Sequence, residues 1–127
     1  NDFESYRKQN NHHFLYILLV IDEYADIANK ELNNVLLELM KDGFKYGIHI
    51  ILSTQMISGW GADIDFFKSF KTIICQENYD KKETRKLIGD YVELKGSGDS
   101  LVLRDGEVTR TQGLYTSYNE DLSAKFD

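Results

Sequence analysis

"ILLVIDEYADI" (17–27) runs five aliphatic residues straight into two adjacent carboxylates, Asp22 and Glu23. Such a join is either a solvated turn after a strand or a strand's C-terminal edge placed to do chemistry. Working outward, residues 15–21 are almost all apolar and β-compatible, which predicts a strand buried on both faces. Leu32, Val35, Leu36, Leu39 and Met40 then recur at offsets of 0, 3, 4, 7 and 8, one face of a helix, with Gly43 as its stop. "IHIILS" (48–53) reads as a second buried strand, followed by a loop with Gly59 and Gly61 and a short amphipathic piece at 64–67. "KTIICQ" (71–76) reads as a third strand.

The next helix is "DKKETRKLIG" (80–89), opened by a capping-box pattern of Asp80 with Glu83 and closed by Gly89. "SLVLRDGEVTRTQG" (100–113) carries a strong short hairpin signal, Asp105 and Gly106 between two β-rich runs. Ser117 with Glu120 caps a last helix. Strand, helix, strand, helix, strand, helix is the grammar of a mostly parallel sheet with crossover helices. The expectation is a three-layer α/β core with a C-terminal β-hairpin.

Length and composition set the outer bounds. The chain has 127 residues, 42% hydrophobic and 28% charged, enough to bury a core as an ordinary globular chain. The one cysteine, Cys75, can build neither a disulfide framework nor a thiolate metal cluster, which suits a reducing interior. The longest apolar run, 14–21, falls short of the ~20 residues of a membrane span, and no signal-peptide pattern opens the chain. A net charge of −6 argues against a surface that coats nucleic acid generically, but leaves room for contact through a few loops. The polar start, 1–13, reads as a cut end or a loop. Its His12 and His13 are adjacent, so they do not face the same way, and no third ligand follows at a metal spacing.

In open parallel sheets, ligands bind beyond the carboxyl ends of the strands. Asp22 and Glu23 fall at one such end and Ser53, Thr54 and Gln55 at the next. If the two strands are neighbours, one acid can hold a magnesium ion while leaving coordination sites for phosphate oxygens. The other can act on an attacking water, and the Gln55 amide can orient that water or donate to a phosphate without adding charge. The plainer alternative makes Asp22 a turn residue and Glu23 a charge favoured by a helix N-terminus.

"LYILLVIDEYADI", a helix and then "GIHIILSTQ" resemble the second half of the FtsK/SpoIIIE family of hexameric DNA-translocating ATPases, RecA-like P-loop motors. "GSGDSLVL" and "RTQGLYTSYNEDL" resemble the closing segments of the same family, so the likeness covers roughly residues 15–122. The resemblance implies a Walker B strand with Asp22 as the magnesium-associated acid and Glu23 as the catalytic glutamate. It implies a cofactor set of Asp22, Glu23, Thr54 and Gln55 for ATP and Mg2+, with Gln55 sensing the γ-phosphate. Arg85 and Arg110 fall where the family carries arginines, one of which, with Arg85 preferred, acts on a neighbouring subunit; each is equally readable as a solvated charge.

The match departs from the family in two places. A P-loop needs Gly-x-x-x-x-Gly-Lys-Ser/Thr, and none of the nine glycines is followed by lysine. Residues 1–127 are therefore expected to be the C-terminal half of the motor domain, truncated before Walker B and inactive alone, with a degenerate relative that lacks the loop as the less simple explanation. After Thr54 and Gln55 stands Met56-Ile57-Ser58 where the family usually has Arg-Pro-Ser, so no role passes to that arginine. The implied whole is a cytoplasmic ATPase, with any membrane anchor in a missing N-terminal region. It would act as a homo-hexameric ring moving double-stranded DNA in chromosome segregation or conjugative transfer. The alternatives are an FtsK-like motor of a protein secretion system and a non-catalytic α/β protein-binding module.

Overall fold

A computed structural model describes residues 3–10, 16–57, 63–77, 81–89 and 92–114. The chain divides into two compact units, Asn1–Phe70 and Lys71–Asp127. The first holds α1 (Phe3–Asn10), β1 (Ile17–Ile21), α2 (Lys30–Asp42), β2 (Ile48–Leu52) and α3 (Ile64–Lys68). The second holds β3 (Thr72–Cys75), α4 (Lys81–Ile88), β4 (Asp99–Arg104) and β5 (Glu107–Gln112).

β1 and β2 are neighbours and parallel, with Ile17 opposite Ile48 through to Ile21 opposite Leu52. The crossover between them is α2, whose N-cap is Asn29: its side chain accepts from the Leu32 N–H at 2.9 Å, satisfying one of the orphan donors of the first turn. The buried face of α2 is rotated from the expected one. Leu36 is 1% exposed, which contributes about 1.5–3 kcal/mol for a fully buried leucine. Val35, however, is 48% exposed, and Asn33 is buried in its stead. A polar residue is tolerated there because the Tyr24 hydroxyl donates to the Asn33 side-chain oxygen.

Gly43 does not stop the chain's helical path. It has φ −60°, and a 3-10 turn, Gly43–Tyr46, carries the chain onward. The stop is Gly47, at φ 76°, the left-handed region that glycine enters without a Cβ penalty. A Cβ there would also lie 2.4 Å from the Phe3 ring. Phe3 belongs to α1, a helix in the polar start that the sequence reads as a loop. Its ring meets Tyr16 edge-on at 5.3 Å, and the Arg7 guanidinium lies 5.0 Å from the Tyr16 ring centre.

The two faces of the β1–β2 pair differ. Leu19, Ile21, Ile50 and Leu52 are half-buried. Leu18, Val20 and Ile51 point to the other face and are 57%, 60% and 53% exposed.

In the second unit, β3 corrects an expectation. It is not a third parallel strand: Thr72 lies opposite Arg104 and Cys75 opposite Leu101, an antiparallel pairing with β4. The sheet order is β3-β4-β5, all antiparallel, so among the described residues parallel pairing is confined to β1 and β2. Ile73 and Cys75 are half-buried while Thr72 and Ile74 are exposed, the alternation that an antiparallel sheet with one covered face accepts. The β4–β5 hairpin forms as read, with Asp105 and Gly106 both at positive φ, 52° and 82°, as a type I′ turn requires. α4 buries Thr84, Leu87 and Ile88 and ends at Gly89, φ 85°, whose N–H donates to the Arg85 carbonyl at 2.9 Å.

The expectations at His12, His13, Gly59, Gly61, Asp80 and the helix capped by Ser117 and Glu120 lie outside the described residues. Among the described residues, no helix is long and apolar enough to cross a membrane.

Candidate functional site

The register of the parallel pair places the first site contact. Ile21 stands opposite Leu52, so Asp22 and Ser53 follow side by side on the same face. The ladder continues past the strand ends: the Ser53 N–H donates to the Ile21 carbonyl and the Tyr24 N–H to the Ser53 carbonyl, both at 2.9 Å. The Ser53 hydroxyl donates to Asp22 Oδ1, which also accepts from the Glu23 N–H at 3.1 Å.

Glu23 breaks the strand. Its φ of 48° and ψ of 53° are left-handed, a region an L-residue other than glycine enters at a cost. Continued alternation would have sent Glu23 to the opposite face, level with Thr54. Instead, Gln55 Nε2 donates to Glu23 Oε1 at 2.8 Å. Two acids, a hydroxyl and an amide thus meet at the C-terminal end of adjacent parallel strands, where open α/β sheets bind ligands. Asp22 is exposed and Glu23 half-buried. Each carboxylate has more acceptor sites than these contacts use.

The donor set suits a hydrated magnesium ion. Among the described residues no three metal-ligating side chains converge. Magnesium needs no such cage, because it keeps several waters and takes one or two carboxylates together with substrate phosphates. An exposed Asp22 carboxylate oriented by Ser53 matches that requirement. For a nucleotide the set is partial, since the chain has no glycine-rich loop ending in lysine to cradle phosphates.

Of three further residues named from the sequence, Thr54 belongs to this strand end and Arg85 and Arg110 to the second unit. Thr54 is turned onto its own backbone: its Oγ1 donates to the Met56 carbonyl at 2.8 Å and accepts from the Met56 N–H at 3.2 Å. Arg85 is exposed on α4 in the second unit. Arg110, on β5, is held by Asp99: Nε donates to Oδ1 at 2.8 Å and Nη2 to Oδ2 at 2.5 Å, while Nη2 also reaches the Glu93 carbonyl at 3.3 Å.

Asp99 is 6% exposed and accepts in addition from the Lys95 N–H at 2.8 Å. The Arg110 guanidinium, with that amide, holds the Asp99 carboxyl down to about 2. Beside the pair, Gln112 Nε2 donates to the Ser97 carbonyl at 2.8 Å and the Gly113 N–H to the Gly98 carbonyl at 2.8 Å. Gly98, at φ 90°, has no room for more: a Cβ would stand 3.0 Å from Gln112 Nε2 and 3.2 Å from the Gly113 carbonyl oxygen. "GSGD" and "RTQG" are therefore two halves of one clamp.

Sequence reasoning placed Ser53 at the strand end without giving it a role, and left Tyr24 out of the site. The signal for Ser53 was its equal distance from the strand end with Asp22, given a parallel register. Tyr24 carried no such signal, because its partners lie on α2 and α3. Its ring stacks on Phe66 at 5.2 Å and meets Phe67 edge-on at 6.1 Å. Burial pushes its phenol pKa up.

No family model matches the chain. Curated proteins do. It is 31% identical over 111 residues to the DNA translocase FtsK of Agrobacterium fabrum, a match covering 83% of this chain and 12% of that protein. The DNA translocase FtsK of Caulobacter vibrioides is 31% identical over 111 residues, covering 83% of this chain and 14% of the relative. That of Staphylococcus epidermidis is 30% identical over 112 residues, with coverage of 83% and 14%. The chain thus spans about one seventh or less of the length of these relatives.

Proposed function

The chain belongs to the FtsK family over this matched segment, and from that premise we propose that it is the Walker B half of an ATP-driven DNA translocase. One observation carries the proposal: Asp22 with Ser53, and Glu23 with Gln55, converge at the ends of two adjacent parallel strands. In this proposal β1 and β2 belong to a RecA-like core. The exposed Leu18, Val20 and Ile51 support it, since parallel strands that are apolar on both faces are normally covered on both.

Within that core, Asp22 would hold a hydrated magnesium ion through its carboxylate, with Ser53 fixing the carboxylate's orientation. Bound magnesium supplies charge neutralisation at the phosphate oxygens. Glu23 would accept a proton from the water that attacks the γ-phosphate, and Gln55, already in contact with Glu23, would orient that water or donate to the phosphate. Phosphate cradling falls to residues beyond this chain, so residues 1–127 alone are expected to show no measurable ATP turnover. Arg85, exposed on α4, is the remaining arginine for action on a neighbouring subunit of a homo-hexameric ring.

The substrate of the whole protein is proposed to be double-stranded DNA, gripped through its phosphates more than its bases, in chromosome segregation or conjugative transfer in the cytoplasm. ATP hydrolysis by the full-length protein tests this. Stimulation by double-stranded DNA is the expected result. Stimulation by a protein cargo instead would assign the motor to secretion, and absence of nucleotide binding would leave a protein-binding module.

A further inference from the structure

Glu23 is a non-glycine residue in the left-handed region, and such a conformation persists only where the surroundings over-determine it. Its neighbours supply the constraint. On one side, Asp22 is fixed by the Ser53 hydroxyl. On the other stands Tyr24, 0% exposed and held from three elements. Its N–H donates to the Ser53 carbonyl at the end of β2, and its hydroxyl donates to Asn33 on α2. Its ring packs against both Phe66 and Phe67 of α3, with centroids 5.2 and 6.1 Å away. The Tyr24 carbonyl accepts from the Ile27 N–H at 3.1 Å, closing the turn.

With residues 22 and 24 both pinned, the backbone of residue 23 has to bridge them, and the left-handed bridge is the one that brings its carboxylate to Gln55. We propose that Tyr24 is a positioning residue for Glu23, through which the packing of α2 and α3 sets the aim of the proposed general base. The inference rests on Glu23 having that role. It adds a consequence: a shift of α3 against Tyr24 changes turnover without changing the residues that hold nucleotide.

Steady-state ATP hydrolysis and nucleotide affinity of the full-length protein test it, with three variants. Tyr24→Leu removes ring stacking and hydroxyl together, and should lower kcat about 30-fold, the scale of a small misplacement of a reacting group. Tyr24→Phe keeps the ring and should recover most of that loss, remaining about 3-fold below the parent. In both, KM and nucleotide affinity should stay at the parent's values. If Tyr24→Leu does not fold, Tyr24→Phe decides: the smaller loss in kcat at constant KM supports the proposal. A parent-like kcat in the folded variants overturns it, and so does a loss of affinity in step with kcat, because either makes Tyr24 a core residue alone. Glu23→Gln is the separate arm. Parent-like turnover there removes the general base itself, and the positioning role falls with it.

Discussion

The molecule carries two carboxylate sites built on left-handed or glycine-bearing turns, and they are put together in opposite ways. At the end of β1, Asp22 and Glu23 accept a few hydrogen bonds from uncharged partners and stay partly open to solvent. At the start of β4, Asp99 is buried, and both of its oxygens are taken by a guanidinium and a backbone amide. An acid buried and paired with a cation of its own chain is architecture. One with capacity to spare, on the ligand-binding edge of a parallel sheet, is available to a substrate.

The largest expected effect is at Glu23. In the full-length protein, Glu23→Gln keeps the shape and the contact to Gln55 but removes the base. ATP turnover should fall by about 10²–10⁴-fold with binding retained. Parent-like turnover would erase the distinction between the two sites. Gln55→Ala comes next, with hydrolysis slowed by about 10- to 100-fold, its stimulation by DNA lost and nucleotide affinity kept. Equal rates in mutant and parent, with and without DNA, would leave the Glu23 contact a resting-state interaction only.

The clamp should respond through stability. Arg110→Ala leaves Asp99 buried without its cation, and the thermal midpoint of the 127-residue chain should drop by about 5 °C. At temperatures where the full-length variant is folded, its turnover should stay within about twofold of the parent, since every donor interaction shown for Arg110 stays within the second unit. A tenfold fall in turnover of the folded variant would give Arg110 a part in the chemistry.

The smallest effect is a pH dependence. Asp99 titrates near 2 in the folded chain against an ordinary value of 3.8. A depressed carboxylate contributes stability that is complete above the unfolded value and lost as pH falls through the folded one. Acid unfolding should therefore steepen between about pH 4 and pH 2, and Asp99→Asn should remove that part of the dependence. A variant with the parent's acid profile would show that the pair contributes nothing measurable.

Sequence patterns carried the fold where they were local or repeated. The aliphatic runs of β1 and β2, the helical spacing between them and the Asp105–Gly106 turn were all legible because each is fixed by residues within a few positions. β3 was not, since "TIIC" suits a buried parallel strand or an antiparallel one equally, and its pairing is decided by β4, some 25 residues later. Asn33 and Val35 exchanged places on α2 because of a hydroxyl on Tyr24 that helical periodicity does not register. The site divided in the same way. Asp22, Glu23 and Gln55 were recognisable from the strand ends, whereas the escape of Thr54 to Met56 and the left-handed turn at Glu23 depend on side-chain and backbone geometry that spacing does not encode. Arg110 read equally as a trans-acting arginine or a solvated strand charge, and only the folded hairpin showed its partner.

In the proposed function, nucleotide reacts at the acid pair at the end of β1. A structure of the full-length protein with magnesium and a slowly hydrolysed ATP analogue measures it most directly. The terminal phosphate should lie within hydrogen-bond distance of Gln55 Nε2, with the metal's water shell on Asp22 and a water poised at Glu23. Nucleotide bound at another place, with the Asp22–Ser53 and Glu23–Gln55 contacts undisturbed, would contradict it.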